Sequence, residues 1–259
     1  MNTRPPLIAS ALLAASLISG TAHAALEGRD LNGSIDSFEA YYDTDLNITW
    51  LADANVNEPM TWDTANTWAA GLSIVDTDKN FTYDNWRLPT VNPVNGSSFN
   101  YALSYDGSTD GGFFGNSYNI SEQGTVFASS TASEMAHLFY TTLNNKSYCP
   151  VGTSCLPAPQ SGWGLTNSGP FTNLQADRYW SATGYTDESA PSDVYAWTFN
   201  FNAGDQGIEA KEYPCCYALA VSPGDVGIAA IPEPETYAMM LAGLGLVGVA
   251  VRRRKLAKV

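Results

Sequence analysis

Val194-Tyr195-Ala196-Trp197-Thr198-Phe199-Asn200-Phe201 is the stretch on which the fold turns. In an extended chain, successive side chains point to opposite faces. Tyr195, Trp197, Phe199 and Phe201 then share one face, and Val194, Ala196, Thr198 and Asn200 share the other. Aromatic and β-branched residues suit that geometry. A turn at 202–207 follows, then extended pieces at 208–212 and 217–221. Just upstream, 178–183 reads as another strand. The last third of the chain is therefore expected to be an antiparallel sheet.

Working back toward the start, 38–43 and 48–52 read as strands. Thr61 is placed to cap a helix over 62–72, in which Trp62, Ala65, Ala69 and Leu72 recur at helical spacing and Gly71 weakens the last turn. The piece 85–88 is extended and stopped by Pro89. The span 92–130 is polar and punctuated by glycines, so it reads as loop with a short hairpin. Thr131-Ala132-Ser133-Glu134 has the form of a capping box opening a second helix through Met135, Leu138, Phe139 and Leu143. Asn144-Asn145 ends that helix, and 146–177 is loop again. The stretch shows no internal repeat and no low-complexity tract. Two helices, an antiparallel sheet and long loops make an α+β domain, expected over 25–230.

The two ends read as addresses. Arg4, an apolar run over 7–18 and Ala22-His23-Ala24 form a signal peptide over 1–24, with Ala22 and Ala24 as the A-x-A cleavage motif and Ala25 as the first mature residue. The Sec export machinery is the implied partner. At the other end, 237–251 is uncharged and apolar, and Arg252-Arg253-Arg254-Lys255 follow as a stop-transfer cluster. As a helix the run reaches roughly 22 Å against a hydrocarbon core of about 30 Å, a gap that snorkelling arginines and local thinning close. A single transmembrane helix over 237–251 is expected, with the inner membrane as a transient station.

Charge supports that division. The chain has 259 residues, 12 Lys and Arg, 26 Asp and Glu, and a net charge of -14. At 44% hydrophobic and 15% charged it is not a disordered polyanion. Between Ala25 and Ile231 stand six cations (Arg29, Lys79, Arg87, Lys146, Arg178, Lys211) and 24 of the acids, a balance of −18. Nucleic acid is excluded as a partner, because binding phosphates takes clustered Lys and Arg. An acidic body suits solubility at a crowded surface, or contact with cations or polysaccharide.

Ile231-Pro232-Glu233-Pro234-Glu235-Thr236-Tyr237 leads into the apolar run. Pro232-Glu233-Pro234, the short helix and the Arg-rich tail, in that order over 231–255, closely resemble the PEP-CTERM sorting signal. The prolines break any helix rising from the membrane and leave an extended, accessible segment. The resemblance implies processing by an exosortase, a membrane protein resembling cysteine proteases. It also implies export to the cell surface or exopolysaccharide matrix of a double-membraned bacterium.

The body carries a second resemblance, over residues 38–225. Tyr42-Asp43 with Leu46 and Thr49-Trp50 open it, and Trp86-Arg87-Leu88-Pro89-Thr90 is its hallmark. Ser133-Glu134-Met135 opens the helix after the hallmark. Tyr179-Trp180-Ser181-Ala182-Thr183 and Ala218-Leu219-Ala220-Val221 are late strands. These resemble the Lcl C-terminal domain family, a domain of unknown function. That implies a C-type-lectin-like fold, in which the terminal strands pair and a long loop region carries binding. Relatives often have Arg where this chain has Ser222. Read on its own, the hallmark puts Trp86 and Leu88 in the core, with Arg87 facing an acid such as Asp84 or Glu134.

Four cysteines in an exported chain predict disulfides. Pairing Cys149 with Cys155 would leave Cys215 and Cys216 as a strained vicinal bridge, so crossed bridges between the two loops are favoured. A metal at the cysteines lacks any nearby His. His137, the only histidine of the mature body, reads as packing rather than as a base. H-E-x-x-H and G-x-S-x-G are absent, and no acid pair stands out for glycoside hydrolysis. The oxygen-rich turn Asp106-Gly107-Ser108-Thr109-Asp110-Gly111 would suit calcium through Asp106 and Asp110. Trp163, Tyr105 and Tyr118 could stack on sugars. The sequence thus favours an exported, non-enzymatic surface or matrix protein without a cofactor. A carbohydrate- or ligand-binding adhesin, with calcium, is the alternative. A secreted enzyme on a scaffold like the formylglycine-generating enzymes comes third.

Overall fold

Trp50, Trp180 and Trp197, with Phe139, Phe199, Phe201 and Tyr179, are each wholly out of solvent. The elements are arranged to bury them, each such side chain contributing about 1.5–3 kcal/mol. The computed structural model describes residues 26–227, apart from 35–36, 56–57, 114, 157 and 188–192. The expected signal peptide with Ala22 and Ala24, and the expected membrane helix over 237–251, lie outside the described residues. Among the described residues no helix is long and apolar enough to cross a membrane.

The first sheet has the order β1-β2-β3-β10, all antiparallel: β1 (Leu26–Arg29), β2 (Ala40–Asp43), β3 (Ile48–Leu51) and β10 (Val221–Pro223). The second has the order β6-β9-β8-β7: β6 (Ser117–Tyr118), β9 (Asp205–Ala210), β8 (Tyr195–Asn200) and β7 (Arg178–Gly184). A hairpin, β4 (Ile74–Asp76) with β5 (Phe81–Tyr83), stands apart. Between β3 and β4 runs α1 (Trp62–Ala70), and α2 (Glu134–His137) passes directly into a π-helical segment, Leu138–Thr142. The class is mixed, with antiparallel sheets and two short helices, as expected.

β8 is central and buried on both faces. Trp197 and Phe199 fill one side, and Ala196 and Thr198 are also fully buried on the other. Phe199 and Phe201 pack with Phe139, Tyr140, Tyr179 and Trp50 in the main core. Ala196 joins Ala65, Ala69, Trp86, Leu88 and Trp180 under α1. Two of the buried indoles donate to carbonyls: Trp180 to Met60 at 2.8 Å and Trp86 to Tyr83 at 3.1 Å.

α1 begins where the cap predicted it, with the Thr61 side chain accepting from Thr64 N, and ends at Gly71. The second helix departs from its reading. Ser133, not Thr131, is the cap, accepting from Ala136 N. The Glu134 carboxylate is drawn away from any capping role to Arg87. After one turn the helix widens, with Thr142 Oγ1 held by Asp43 Oδ2 at 3.1 Å and the Tyr140 hydroxyl held by the Gly204 carbonyl. The extended piece 85–88 makes one isolated rung, Arg87 to Val221, rather than a strand.

The closing segment also differs from a single strand over 217–221. Tyr217 pairs in parallel with Tyr179 of β7, and Val221 to Pro223 then pair antiparallel with β3. The chain leaves one sheet for the other there and stitches them together.

A short repeat overturns the reading of a repeat-free body. Asp43-Thr44-Asp45-Leu46-Asn47 joins β2 to β3, and Asp76-Thr77-Asp78-Lys79-Asn80 joins β4 to β5. In each, Oδ1 of the first Asp accepts the two backbone N–H groups that follow, from Asp45 and Leu46 or from Asp78 and Lys79. In each, the closing Asn takes positive φ, 51° and 48°, which Asn tolerates better than other residues with a side chain.

Candidate functional site

The segment Trp86 to Thr90 is built on a part-buried fork. Trp86 and Leu88 are buried, at 4% and 0% exposed. Arg87 points the other way and reaches Glu134, one of the two acids the sequence offered, rather than Asp84: Nη1 to Oε2 and Nη2 to Oε1, both at 2.8 Å. Glu134 Oε2 also accepts from Thr90 N at 2.7 Å, so one carboxylate holds the turn after Pro89. Both Nη atoms of Arg87 and both carboxylate oxygens of Glu134 are engaged with the protein itself, and the geometry is that of a structural joint.

A second polar centre was not singled out by the sequence. Asp205, 1% exposed at the start of β9, accepts from Arg178 Nη2 at 3.0 Å, Asn116 Nδ2 at 2.6 Å and Asn200 Nδ2 at 2.9 Å. Burial pushes its carboxyl up and the Arg178 guanidinium draws it down, the burial effect being the larger. Arg178 also faces Glu209 Oε1 at 3.5 Å. The signal available in sequence was the Asn200-x-x-x-x-Asp205 spacing and the crowding of polar residues at 200–206, directly after the aromatic strand β8.

Beside it lie the aromatics named as sugar platforms. Tyr105 and Tyr118 stack on each other, 5.6 Å between centroids and 20° between planes. Trp163 meets Tyr148 edge-on at 4.7 Å. All four are half-buried. The Cys149–Cys155 loop adjoins them through Gly152 N, which donates to the Tyr105 carbonyl at 2.6 Å. Gln160 N donates to the Tyr148 carbonyl, and its side chain to Ser147 and Cys149. Glu122, in this neighbourhood, is 9% exposed, and Oε2 has no donor among the described residues. Burial pushes its carboxyl up to about 7, against the pull of Ser147 N, Lys146 and Gln160.

The cysteines pair as Cys149–Cys155 and Cys215–Cys216, which corrects the crossed pairing. The reason is position along β8. Tyr148 N donates to Ala203, beyond one end of that strand, whereas Cys215 follows Ala210, which pairs with Tyr195 at the other end. The strand between spans roughly 17 Å at 3.3–3.4 Å per residue, and a disulfide needs Cα atoms within about 7 Å.

Asp106 and Asp110 do not converge. Asp106 Oδ1 accepts from Ser108 N and Oγ within its own turn, which draws its carboxyl down. Asp110 is buried, its oxygens taken by Val94 N and Asn100 N at 2.8 Å each. No group of three His, Cys, Asp or Glu residues able to hold a metal occurs among the described residues. His137 is 1% exposed, with Nδ1 3.1 Å from the Ser130 carbonyl, so the proton sits on Nδ1. Its Nε2 lies 3.6 Å from Asp45 Oδ2. A groove of about 750 Å³ opens between Tyr41, Leu51, Leu72 and Ile74, with Phe38 at its rim. The adjoining Glu39 carboxylate is occupied by Leu31 N and Asn32 Nδ2.

The two ends of the body meet on the first sheet. β1 begins at Leu26, two residues beyond the expected cleavage site, and its Arg29 grips Asp225 two residues after β10. Pro232, Glu233 and Pro234, and Arg252 to Lys255, follow from there and lie outside the described residues. The chain matches the family described as the PEP-CTERM protein-sorting motif over residues 230–255. No characterised protein and no solved structure matches the chain. The match supports an exported protein sorted to the cell surface of a Gram-negative bacterium by an exosortase.

Proposed function

We propose that this chain is a non-enzymatic surface or matrix protein, delivered as a folded, acidic body and sorted through its C-terminal signal. The match over 230–255 carries the reading. The geometry agrees with it: both ends of the body lie on one sheet, so one face can sit at the inner membrane while the signals at both ends are in use. The passage through the inner membrane and the final place in exopolysaccharide are part of the proposal. So is the C-type-lectin-like architecture, supported by the closing strand β10 joining the opening strand pair at β3, with β1 at the opposite edge of that sheet, and by the long, irregular 92–130 and 146–177 segments. The reading also rests on the Arg87–Glu134 pair and the buried His137, polar groups that are spent on holding the fold. In a host carrying an exosortase, the chain should be shortened at its C-terminus and reach the surface. Deletion of the enzyme should leave it full-length in the inner membrane, and identical processing in both strains contradicts the reading.

A second reading, a carbohydrate-binding adhesin, is favoured by the half-buried Tyr105, Tyr118, Tyr148 and Trp163 gathered on one loop region beside a disulfide. Aromatic rings with apolar faces and polar tips suit the faces of sugars. Binding of residues 25–231 to the host's own exopolysaccharide, measured with and without calcium, tests it. No binding in either condition counts against the adhesin and leaves the sorting reading standing.

A further inference from the structure

The residues that precede the sorting motif are pinned one after another. Val221 exchanges two backbone hydrogen bonds with Arg87, at 2.8 and 2.9 Å. Gly224 N donates to the Asn47 carbonyl at 2.9 Å, and the Gly224 carbonyl accepts from Thr49 Oγ1 at 2.8 Å. Val226 N donates to the same hydroxyl at 3.2 Å. Between them Asp225 takes the Arg29 guanidinium through two bonds, Nε to Oδ1 at 2.5 Å and Nη2 to Oδ2 at 2.9 Å. Arg29 is itself held from three more sides: Glu27 Oε2 at 2.7 Å, the Gly28 carbonyl at 3.0 Å, and the Tyr42 ring 5.2 Å away. Gly227, at φ +73°, lies so close to the Leu31 side chain that a Cβ there would collide.

This leaves little free chain. The matched motif starts at residue 230, and Pro232 is the fifth residue after Gly227. At no more than about 3.5 Å per residue, Pro232 stands within roughly 18 Å of the fold whatever path the chain takes. A body of this length is about 40 Å across. An enzyme embedded in the membrane must therefore work against the exit face itself. Releasing 224–227 would lengthen the tether by four residues, about 14 Å.

We propose that the Arg29–Asp225 clasp meters the processing of the sorting signal. Closed, it presents the signal on a short tether with the exit face against the enzyme; open, it yields four more residues of extended chain. The device ties the mature N-terminus to the C-terminal cut, since Arg29 belongs to the strand that follows signal-peptide removal. The proposal rests on the sorting reading above.

Pulse–chase of the full chain in an exosortase-bearing host and its exosortase-deleted counterpart tests it. Arg29→Ala and Asp225→Asn should each speed conversion to the processed form about two- to tenfold, the range for loss of a partly exposed, two-bond ion pair. Ten Gly/Ser residues inserted between 228 and 229 should speed it similarly without touching the clasp, and Arg29→Ala should then add nothing. The exchanged pair Arg29→Asp with Asp225→Arg should return the rate toward the parent's. Equal rates for the parent, both single variants and the insertion overturn the clasp while the sorting reading stands. So does an Arg29→Ala effect that persists undiminished with the insertion, because it then reflects general loosening. A parent chain that is not shortened in the exosortase-bearing host overturns both.

Discussion

Arg87 and Glu134 face each other as fork and carboxylate, with two parallel hydrogen bonds of 2.8 Å across 47 residues of sequence. The pair locks the segment after β5 to the start of α2, and Thr90 N shares the same carboxylate. Glu134 is mostly buried, so removing the arginine strands a charge. Arg87→Ala is expected to cost about 2–4 kcal/mol in urea unfolding. Arg87→Lys keeps the charge but loses the fork and should recover less than half of that. A loss under about 0.5 kcal/mol for Arg87→Ala would show that the joint is not structural.

Asp205 depends on three donors, and Arg178 is the charged one. Arg178→Ala should cost about 3 kcal/mol, because a buried carboxylate is left with amides alone. Asp205→Asn should cost less, since burial already opposes the charged form. Equal losses for the two variants would contradict that order.

The legibility of the chain was uneven, and the reasons are physical. Strand pairs and α1 were readable because alternation in 194–201 and the Thr61 cap are local signals. The outward face of Arg87 was readable because its neighbours Trp86 and Leu88 had to be inside; the choice of Glu134 over Asp84 was not, because it is made 47 residues away. The β4–β5 hairpin carries a local signal too, since Asp76 to Asn80 repeats the turn at Asp43 to Asn47. The cap at Ser133 and the π-helical widening were not readable, because tertiary partners decide them: Arg87 claims Glu134, and Gly204 claims Tyr140. The cysteine pairing failed for a similar reason, as only the third dimension places the two loops at opposite ends of β8.

Glu122 sets a pH dependence. Burial holds its carboxyl near 7 in the folded chain, above the ordinary carboxylate value of 4.5. Between those values the folded state binds a proton that the unfolded state lacks, so stability falls as pH rises through that window. The contribution is full below about pH 4.5 and lost above about pH 7, on the order of 1–3 kcal/mol. Glu122→Gln should flatten the melting temperature over that range and raise it at pH 8. An unchanged pH profile would contradict the burial of this group.

The two disulfides give a mass signature. Peptide mapping without reduction should find Cys149 joined to Cys155, and Cys215 to Cys216 within one peptide. Cys149→Ser with Cys155→Ser removes a short closed loop and should cost about 2 kcal/mol. A peptide linking 149 or 155 to 215 or 216 would restore the crossed pairing.

The aromatic cluster makes a separable claim. Trp163→Ala and Tyr105→Ala should weaken exopolysaccharide binding by tenfold or so while leaving the melting temperature within a few degrees, as expected for half-buried rings that face a ligand. A collapse of stability with no selective loss of binding would return both rings to packing.

Intact mass of the mature protein, taken from the envelope of its own host, bears most directly on the account as a whole. The account predicts a chain that begins at Ala25, lacks the Arg252-to-Val259 tail and carries two disulfides. In a host deleted for the exosortase the same measurement should return a chain that keeps the Arg252-to-Val259 tail. Finding that tail intact on the surface-localised protein of the parent host would contradict sorting through this signal.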